Sequence, residues 1–342
     1  LHLSLRRQRQ MCIRDSLDIL RVEGYRKFCN KIYQATKFAL MRLGDDYTPS
    51  ATEGLTGNES LVEKWILHKL TETAKIVNES LDKRDFLTST SVIYEFWYLV
   101  CDVYIENSKY LIQEGSATEQ KSAKDTLYIL LDNALKMIHP FMPFISEEMW
   151  QRLPKRSSEK AVTIVKASFP VYTKEFDNEA AAAAYELVLN ITKEARSLLA
   201  EYGIIKNGKV IVESNHDSFF ETASSQKDSI VSLIKAIDEV TVVRTATEIP
   251  EGCVLKAVNP DVNVHLLVKG HVDIDAEIAK VQKKLDKVSK SKAGMEKTMN
   301  SKDYESKANA EAQAANKTKL ENTVAEIEGL EATVENLKRL KL

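Results

Sequence analysis

A segment near the start of the chain, residues 17–43, combines basic, amide and aromatic side chains. It carries six Arg or Lys against two acidic residues. Arg26, Asn30 and Lys37 lie among aromatic residues that include Phe38. This combination suits unstacked RNA bases, because rings stack on bases, amides bind base edges and cations attract phosphates. An amphipathic helix with buried rings and solvated cations would have the same composition, so both interpretations stay open here.

A second basic segment lies near the end of the chain, at 280–297. It carries seven lysines against Asp286 and Glu296. A row of ammonium groups on a protruding helix suits a phosphate backbone, which attracts charge without reporting base sequence. An ordinary solubilising helix face is the alternative, since glutamates dominate the segment that follows. The candidate backbone-binding residues are Lys280, Lys283, Lys284, Lys287 and Lys290.

The sequence contains no arrangement typical of a catalytic or metal-binding site. Its six histidines include no H-x-x-x-H pair, and no phosphate loop, nucleophile elbow or dinucleotide fingerprint occurs. The run KVSKS at 287–291 resembles the K-M-S-K-S loop that binds ATP in class I aminoacyl-tRNA synthetases. We interpret it as helix, because Val288 occupies an apolar seam position. We therefore predict no catalytic residue, no cofactor and no metal in this chain.

The composition is that of a folded chain without a membrane span. The 342 residues include 48 Lys+Arg and 50 Asp+Glu, so the net charge of −2 gives no global attraction to nucleic acid. No apolar stretch is long enough to span a bilayer. The four cysteines are far apart and form no C-x-x-C pair, so we expect reduced thiols. These features predict a cytoplasmic protein.

The residues before Pro154 show helical periodicity, with apolar residues at three- and four-residue steps in five segments. Asp85 offers an N-cap for the third segment, and Pro143 opens the fifth. Short connections predict an antiparallel bundle, with the aromatic-rich third helix at its centre. The predicted helices cover 17–43, 61–81, 85–114, 116–138 and 143–150.

Shorter elements follow Pro154. The run 162–168 resembles a strand, and an alanine-rich helix over 180–202 ends at Gly203. Alternating apolar residues then predict a small α+β domain, in which a helix over 226–237 separates the first two strands. The predicted strands are 209–214, 241–246, 253–258 and 263–268.

From Ile274 onward, apolar residues repeat in the 4-and-3 spacing of a coiled coil. A polar turn at 300–303 predicts two antiparallel helices rather than one rod. The chain is thus expected to be mostly α, with an antiparallel helical bundle, then a small α+β domain and a terminal antiparallel coiled-coil hairpin. The predicted divisions are 1–16 (foreign or unstructured), 17–155 (bundle), 156–177 (linker), 178–272 (α+β domain) and 273–342 (coiled-coil arm).

Three runs carry a family resemblance: GYRKFCNKIYQATKFAL at 24–40, HPFMPFISEEMWQRLP at 139–154 and HVDIDAEIAKVQKKL at 271–285. Together they resemble the C-terminal part of valyl-tRNA synthetase, a class Ia enzyme, of the eukaryotic cytosolic type. The likeness covers about 17–342. The leucyl and isoleucyl enzymes share the bundle, but the arm after a small α+β segment indicates the valyl family.

The resemblance implies that the bundle binds the anticodon stem and loop, and that the arm leans on the outer corner of tRNA. Arg26, Phe28, Asn30, Lys31 and Phe38 match places in the family pattern R-x-F-x-N-K-x-x-x-A-x-x-F. Phe38 takes the place of an aromatic residue that stacks on an anticodon base, whereas Phe28 is expected in the core. The expected anticodon-binding residues are Arg26, Asn30, Lys37 and Phe38.

The family's Rossmann domain with its H-I-G-H signature, its K-M-S-K-S loop and its editing domain have no counterpart among these 342 residues. We therefore expect a monomer that binds tRNA(Val) but neither binds ATP nor activates valine, although the parent ligase does both. One alternative is the tRNA-binding region of an isoleucyl or leucyl enzyme. The other is a non-enzymatic coiled-coil protein whose basic faces are incidental.

Overall fold

A computed structural model describes residues 19–51 and 53–269, together with the single positions 282, 285, 286, 288, 289, 292 and 323. The chain divides into two compact units, Leu1–Glu186 and Leu187–Leu342. The described part of the first unit is helical, and that of the second is α+β, which confirms the predicted fold class. Apart from those single positions, the predicted arm over 273–342 lies outside the described residues, as does the segment 1–16.

The first unit contains the five predicted helical segments, one of them divided into parts. Short connections join the second to the fifth of these segments, whereas the loop 44–60 separates the first from the second, and the segments pack against one another as expected for a bundle. Gly44, with a φ of 79°, follows the first helix. The helices are α1 (Ile19–Leu43), α2 (Leu61–Asp82), α3 (Phe86–Tyr98), α4 (Ile105–Glu114), α5 (Ala117–Ile138) and α6 (Pro143–Arg152).

Side-chain caps fix where three of these helices begin. The Glu63 carboxylate accepts hydrogen bonds from the Ser60 backbone N–H and hydroxyl, both at 2.6 Å. Asp85 accepts from the Thr88 N–H at 3.1 Å, so the predicted N-cap is confirmed. At the start of α5, Glu119 accepts from the Ser116 N–H at 2.8 Å. Each bond satisfies a backbone donor that the helix itself leaves unpaired.

The predicted third helix is a continuous helical run with a π-helical centre at Leu99–Tyr104. This segment joins α3 to α4 and widens the turn by one residue. Periodicity alone could not locate it, because both flanking helices keep the ordinary spacing.

The centre of the first unit is α5 rather than the aromatic-rich third helix. Helix α5 contacts all five of the other helices, whereas the third helix leaves Tyr94 39% exposed. Trp65, Trp97 and Trp150 are fully buried in this unit. Trp150 donates from Nε1 to Asp132 of α5 at 2.7 Å, which fixes α6 against this central helix.

The segment after α6 forms two short 3₁₀ turns, Ile164–Lys166 and Lys174–Phe176. The predicted strand at 162–168 is therefore wrong. Val162 and Val165 are exposed while Ile164 is buried, and this run has no strand partner in the described sheet. Thr173 accepts from and donates to the Thr71 side chain, which fastens the segment along α2.

The second unit combines a four-stranded sheet with helices. Helix α7 (Glu179–Glu201) precedes the sheet in the chain, and its residues from Leu187 onward belong to the second unit. The elements are β1 (Gly208–Ser214), α8 (Asp217–Ser225), α9 (Lys227–Leu233), β2 (Ile237–Val243), β3 (Cys253–Asn259) and β4 (Val262–Leu267). The sheet order is β2-β1-β4-β3, with β1 parallel to β2 and antiparallel to β4.

Strands occupy the four predicted regions, but the strand predicted at 241–246 covers 237–243 instead, and the helix predicted at 226–237 is wrong in extent. Two helices, α8 and α9, connect β1 to β2, and β2 begins at Ile237. Parallel pairing with β1 places Val242 beside Val212 and draws Ile237 into the sheet. This long-range pairing overrides the local helical pattern.

None of the described helices is long and apolar enough to cross a membrane. Cys29, Cys101 and Cys253 are free thiols, as predicted, and Cys12 lies outside the described residues. Burial raises the pKa of the Cys101 thiol to about 12.

Candidate nucleic-acid interface

Helix α1 has one buried side and one exposed side. Phe28, Ile32, Ala39 and Leu43 are buried at helical spacing, and they pack α1 against the rest of the first unit. The predicted core position of Phe28 is confirmed. The opposite side of the helix is exposed to solvent and accessible to a partner.

Three of the predicted contact residues share that exposed side. Arg26, Asn30 and Lys37 are all exposed, and at 3.6 residues per turn they lie within an arc of about 40°. Tyr33, 40% exposed, falls on the same strip of surface. Among the described residues, no carboxylate lies within ion-pair distance of Arg26 or Lys37. We call Arg26, Asn30, Tyr33 and Lys37 the α1 strip.

Phe38 lies beside the α1 strip rather than on it. Its ring is partly buried, and it has two cationic neighbours. The guanidinium Cζ of Arg42 is 5.2 Å from the ring centroid, and Lys109 Nζ of α4 is 5.7 Å from it. A ring that is electron-rich on its faces attracts such cations. Phe38 therefore offers a partly exposed aromatic ring next to two positive charges, and this combination suits a base and its phosphate.

Lys31 is partly exposed, and its ammonium group is bound by other residues of the protein. Its Nζ donates to Asp102 Oδ1 at 2.7 Å and lies 3.6 Å from the centroid of the Tyr98 ring. Tyr98 in turn contacts Phe28 and hydrogen-bonds Tyr94 at 2.9 Å. The family pattern includes Lys31, but these contacts show that it joins α1 to the third helical run.

Two charged residues near the candidate site were missed by the sequence interpretation. Lys109 is 71 residues from Phe38 in the chain, so no local signal places it beside the ring. Arg42 lies four residues after Phe38 on the same helix, and this i, i+4 spacing could have revealed it.

The arm lysines Lys280, Lys283, Lys284, Lys287 and Lys290 lie outside the described residues. Their described neighbours are helical. Leu285 and Val288 are partly buried, as expected of seam positions, whereas Gln282 and Asp286 are exposed. Gln282 donates to Asp286 at 3.3 Å across one helical turn. Val288 is thus helical, in agreement with our interpretation of the KVSKS run.

In the part of the chain that the structure describes, no group of three or more His, Cys, Asp or Glu residues is arranged to hold a metal ion. The α1 strip and Phe38 together offer two cations, an amide and two aromatic rings.

Two family matches cover much of the chain. Residues 63–214 match the anticodon-binding domain of tRNA ligase, and residues 273–340 match the valyl tRNA synthetase tRNA binding arm. The arm lysines lie inside the second match, whereas α1 precedes the first.

Relatives extend the likeness to most of the chain. It is 84% identical over 327 residues to the mitochondrial valine–tRNA ligase of Saccharomyces cerevisiae, covering 96% of this chain and 30% of that one. Identity is 52% over 229 residues with the Schizosaccharomyces pombe valine–tRNA ligase, 67% of this chain and 23% of that one. The chain is 33% identical over 328 residues to the human valine–tRNA ligase, covering 93% of this chain and 25% of that one.

The chain thus spans at most about a third of these relatives' own length. The two matches follow each other in the order in which the sequence resemblance places the bundle and the arm. The chain therefore belongs with the C-terminal, tRNA-binding region of the valine–tRNA ligases, to which it is homologous, and it contains the anticodon-binding domain of that family.

Proposed function

We propose that this chain binds tRNA(Val) as the tRNA-holding part of a valine–tRNA ligase. The observation that carries the proposal is the α1 strip, whose cations and amide are exposed on one side of a helix that is buried on the other. A surface of this kind binds RNA through phosphates, base edges and stacking together. The matches to an anticodon-binding domain and to a tRNA-binding arm support the same partner.

The two surfaces have different roles in this proposal. The α1 strip and Phe38 bind the anticodon stem and loop, where bases are unstacked and can be recognised individually. The arm lysines bind the backbone at the outer corner of the tRNA, where charge suffices. The arm therefore contributes affinity and position, and the helical unit contributes selection.

The parent ligase would attach valine to tRNA(Val) using ATP, and this chain would position the tRNA for that reaction. The chain by itself has no predicted residue for binding ATP or activating valine. We therefore expect no valine-dependent exchange of pyrophosphate into ATP by the 342-residue chain, and any exchange above background would contradict this part of the proposal.

A binding experiment tests the central claim. Fluorescence anisotropy with labelled transcripts of tRNA(Val) and tRNA(Ile) should show tighter binding of tRNA(Val), with an affinity that falls steeply as salt increases. A preference for tRNA(Ile) would assign the chain to another class Ia enzyme. Absence of tRNA binding, with salt-insensitive capture of a protein partner, would favour the coiled-coil interaction protein.

The compartment and the assembly state also belong to the proposal. We propose the eukaryotic cytosolic type, acting as a monomer in the cytoplasm, although the Saccharomyces cerevisiae relative is named mitochondrial. Imaging of the tagged full-length protein against a mitochondrial marker tests the first point. Light scattering after size-exclusion chromatography tests the second.

A further inference from the structure

An apolar groove of about 650 Å³ lies between α1 and α3 in the first unit. Phe28 of α1 and Ile93 of α3 line it and are buried, and the ring centroids of Phe28 and Tyr94 are 4.6 Å apart. Ile138 at the end of α5 and Met142 just before α6 complete the lining. None of these residues belongs to the α1 strip or to the arm. We call this feature the α1–α3 groove.

The α1–α3 groove has large apolar side chains that are exposed to solvent. Leu87 is 78% exposed and Tyr25 is 65% exposed, and both line the groove. Val22, one turn before Tyr25, and Phe86, next to Leu87, are exposed as well. Single exposed apolar residues are normal on a protein surface, but a cluster of them around an apolar concavity marks an interaction surface. The groove therefore has the character of a docking site.

A glycine inside α1 lines the same groove. Gly24 is within the helix and has no positive φ, so the backbone does not require glycine there. A Cβ added to Gly24 would meet no heavy atom of the described residues within 4 Å, so packing does not require it either. Glycine in a helix interior lowers stability relative to alanine. A second backbone that approaches α1 closely at this point would account for it.

The charge in the groove indicates the chemistry of its partner. Glu95 of α3 lines the groove and is exposed. Among the described residues, no basic side chain lies within ion-pair distance of its carboxylate. A groove between two helices commonly receives a third helix, which buries apolar side chains spaced by three and four residues. The complementary partner is therefore an amphipathic helix with an apolar stripe and a basic residue opposite Glu95.

The groove lies on the side of α1 opposite the α1 strip. At 3.6 residues per turn, Gly24 and Phe28 each lie about 160° around the helix axis from Arg26. A helix docked in the groove would therefore leave the α1 strip open to RNA. Helix α1 would then have a protein partner on one side and tRNA on the other.

The relatives contain a source for such a helix, since this chain spans at most about a third of their length. The rest of a ligase of that length has to meet the tRNA-binding region at some surface, and an exposed apolar groove is suited to that contact. We propose that the α1–α3 groove docks an amphipathic helix from the part of the parent ligase outside these 342 residues, with its backbone at Gly24 and a basic side chain at Glu95. This inference rests on the proposed function, because it requires a parent ligase.

Maleimide labelling of an introduced cysteine tests whether the groove is covered. Leu87→Cys should be labelled rapidly in the 342-residue chain and more slowly in the full-length ligase, by about tenfold if the groove is occupied nine-tenths of the time. Val162→Cys is the matched control, since Val162 is 79% exposed and does not line the groove, and it should react alike in both proteins. Equal labelling of Leu87→Cys in the two proteins would overturn the proposal. Slow labelling in the chain alone that depends on its concentration would assign the groove to a second copy instead.

Gly24→Ala should have opposite effects in the two proteins. In the 342-residue chain it removes a helix-interior glycine without a clash, so the melting temperature should rise by about 2–4 °C. In the full-length ligase the added methyl group would separate the docked helix from α1, so labelling of Leu87→Cys should become faster. Gln34→Ala, exposed elsewhere on α1, should leave that labelling rate unchanged. If Gly24→Ala leaves it unchanged too, no backbone lies against Gly24 and the proposed docking geometry is wrong.

Glu95→Lys tests the charge of the partner in the same way. It changes an exposed residue, so the 342-residue chain should keep its stability, whereas in the full-length ligase the reversed charge should repel the docked helix and speed up labelling of Leu87→Cys. Glu79→Lys, exposed on α2, is the matched control and should have no effect on labelling. Slower labelling in Glu95→Lys would contradict a basic partner. These measurements need no tRNA, so a failure to bind tRNA would contradict the proposed function and leave this test intact.

Discussion

The ammonium group of Lys31 donates to Asp102 Oδ1 at 2.7 Å and joins α1 to the π-helical segment 71 residues later in the chain. The same group lies 3.6 Å over the Tyr98 ring. Both interactions occupy Lys31 within the protein, although the family pattern places it among the residues that meet RNA. Two lysines of one helix therefore differ in role, because Lys31 holds the helix in place whereas Lys37 faces solvent.

Lys31→Gln should lower stability more than it lowers tRNA affinity. The ion pair is partly exposed, so its removal together with the cation–π interaction is expected to cost about 1 kcal/mol. Lys37→Gln is the matched change on the exposed side, and it should leave stability unchanged while weakening tRNA binding. Urea denaturation and anisotropy on both variants check this. Equal effects of the two variants on tRNA binding would contradict the different roles assigned to Lys31 and Lys37.

Phe38→Ala should weaken tRNA binding by about 1–3 kcal/mol, the usual contribution of one base–aromatic stack. Since the ring is only partly buried, the decrease in stability should be smaller than the roughly 3–5 kcal/mol typical of a core Phe→Ala change. Anisotropy and urea denaturation measure the two effects.

The control for this prediction is Phe86→Ala, which removes an aromatic ring that is 58% exposed at the start of α3. It should leave tRNA affinity unchanged. If Phe38→Ala instead destabilises the chain by the full core amount, Phe38 is packing and its assignment to the anticodon is wrong.

The helical starts and the strands β1, β3 and β4 could be predicted from local signals, because caps and periodicity are properties of neighbouring residues. The bounds of β2 could not, because its pairing with β1 sets them. Asp85 and Pro143 begin helices where expected. Contacts between distant residues could not be predicted in this way. The π-helical turn, the pairing of Lys31 with Asp102 and the approach of Lys109 to Phe38 all depend on how helices pack.

The candidate site was predictable to the same extent. Spacing alone places Arg26, Asn30 and Lys37 on one side of a helix, whichever way the helix packs. Spacing does not show that this side is exposed. That follows from the structure, in which Phe28 and Ile32 on the opposite side of the helix are buried.

Glu63 and Glu119 occupy equivalent capping positions in different surroundings. Burial raises the pKa of Glu63, which is 1% exposed. The hydrogen bonds from Ser116 lower the pKa of Glu119, whose side chain is at the surface. Both carboxyls have an ordinary value of 4.5 in the unfolded chain. The two caps should therefore affect the pH dependence of stability with opposite sign.

Glu63→Gln keeps an oxygen acceptor for Ser60 and removes a buried charge. In the parent, Glu63 loses its proton near pH 4.5 when the chain is unfolded, but only at a higher pH when the chain is folded. Between these two pH values the unfolded state is favoured, so the free energy of unfolding falls as the pH rises. The variant should therefore gain stability relative to the parent between about pH 4 and about pH 7. Urea denaturation at the two pH values measures the change.

Glu119→Gln is the matched control with the reverse sign. Ionised Glu119 stabilises the folded chain above about pH 4.5, and this stabilisation disappears as the pH falls through the lowered pKa of Glu119. This variant should be less stable than the parent at neutral pH, and the difference should shrink in acid. The same sign of pH dependence for both variants would refute the contrast between the buried and the exposed cap.

The arm can be tested through the salt dependence of binding. Replacing Lys283, Lys284, Lys287 and Lys290 by Gln keeps helix propensity, so the helix content measured by circular dichroism should stay unchanged. Binding should weaken for every tRNA alike, because phosphates carry no base sequence. The slope of log affinity against log salt should shrink by roughly 0.7–0.9 for each phosphate that is no longer neutralised.

On the predicted helix, at 3.6 residues per turn, Lys283, Lys287 and Lys290 would share an arc of about 60° and Lys284 would lie to one side, so about three of them can face the RNA at once. The expected change in slope is therefore about 2.1–2.7. Replacing the exposed Lys75, Lys83, Lys160 and Lys166 by Gln removes the same total charge from the described part of the chain and should leave the slope nearly unchanged. If the two fourfold variants shift the slope equally, net charge rather than the arm sets the affinity; if neither shifts it, the arm lysines contact something other than tRNA.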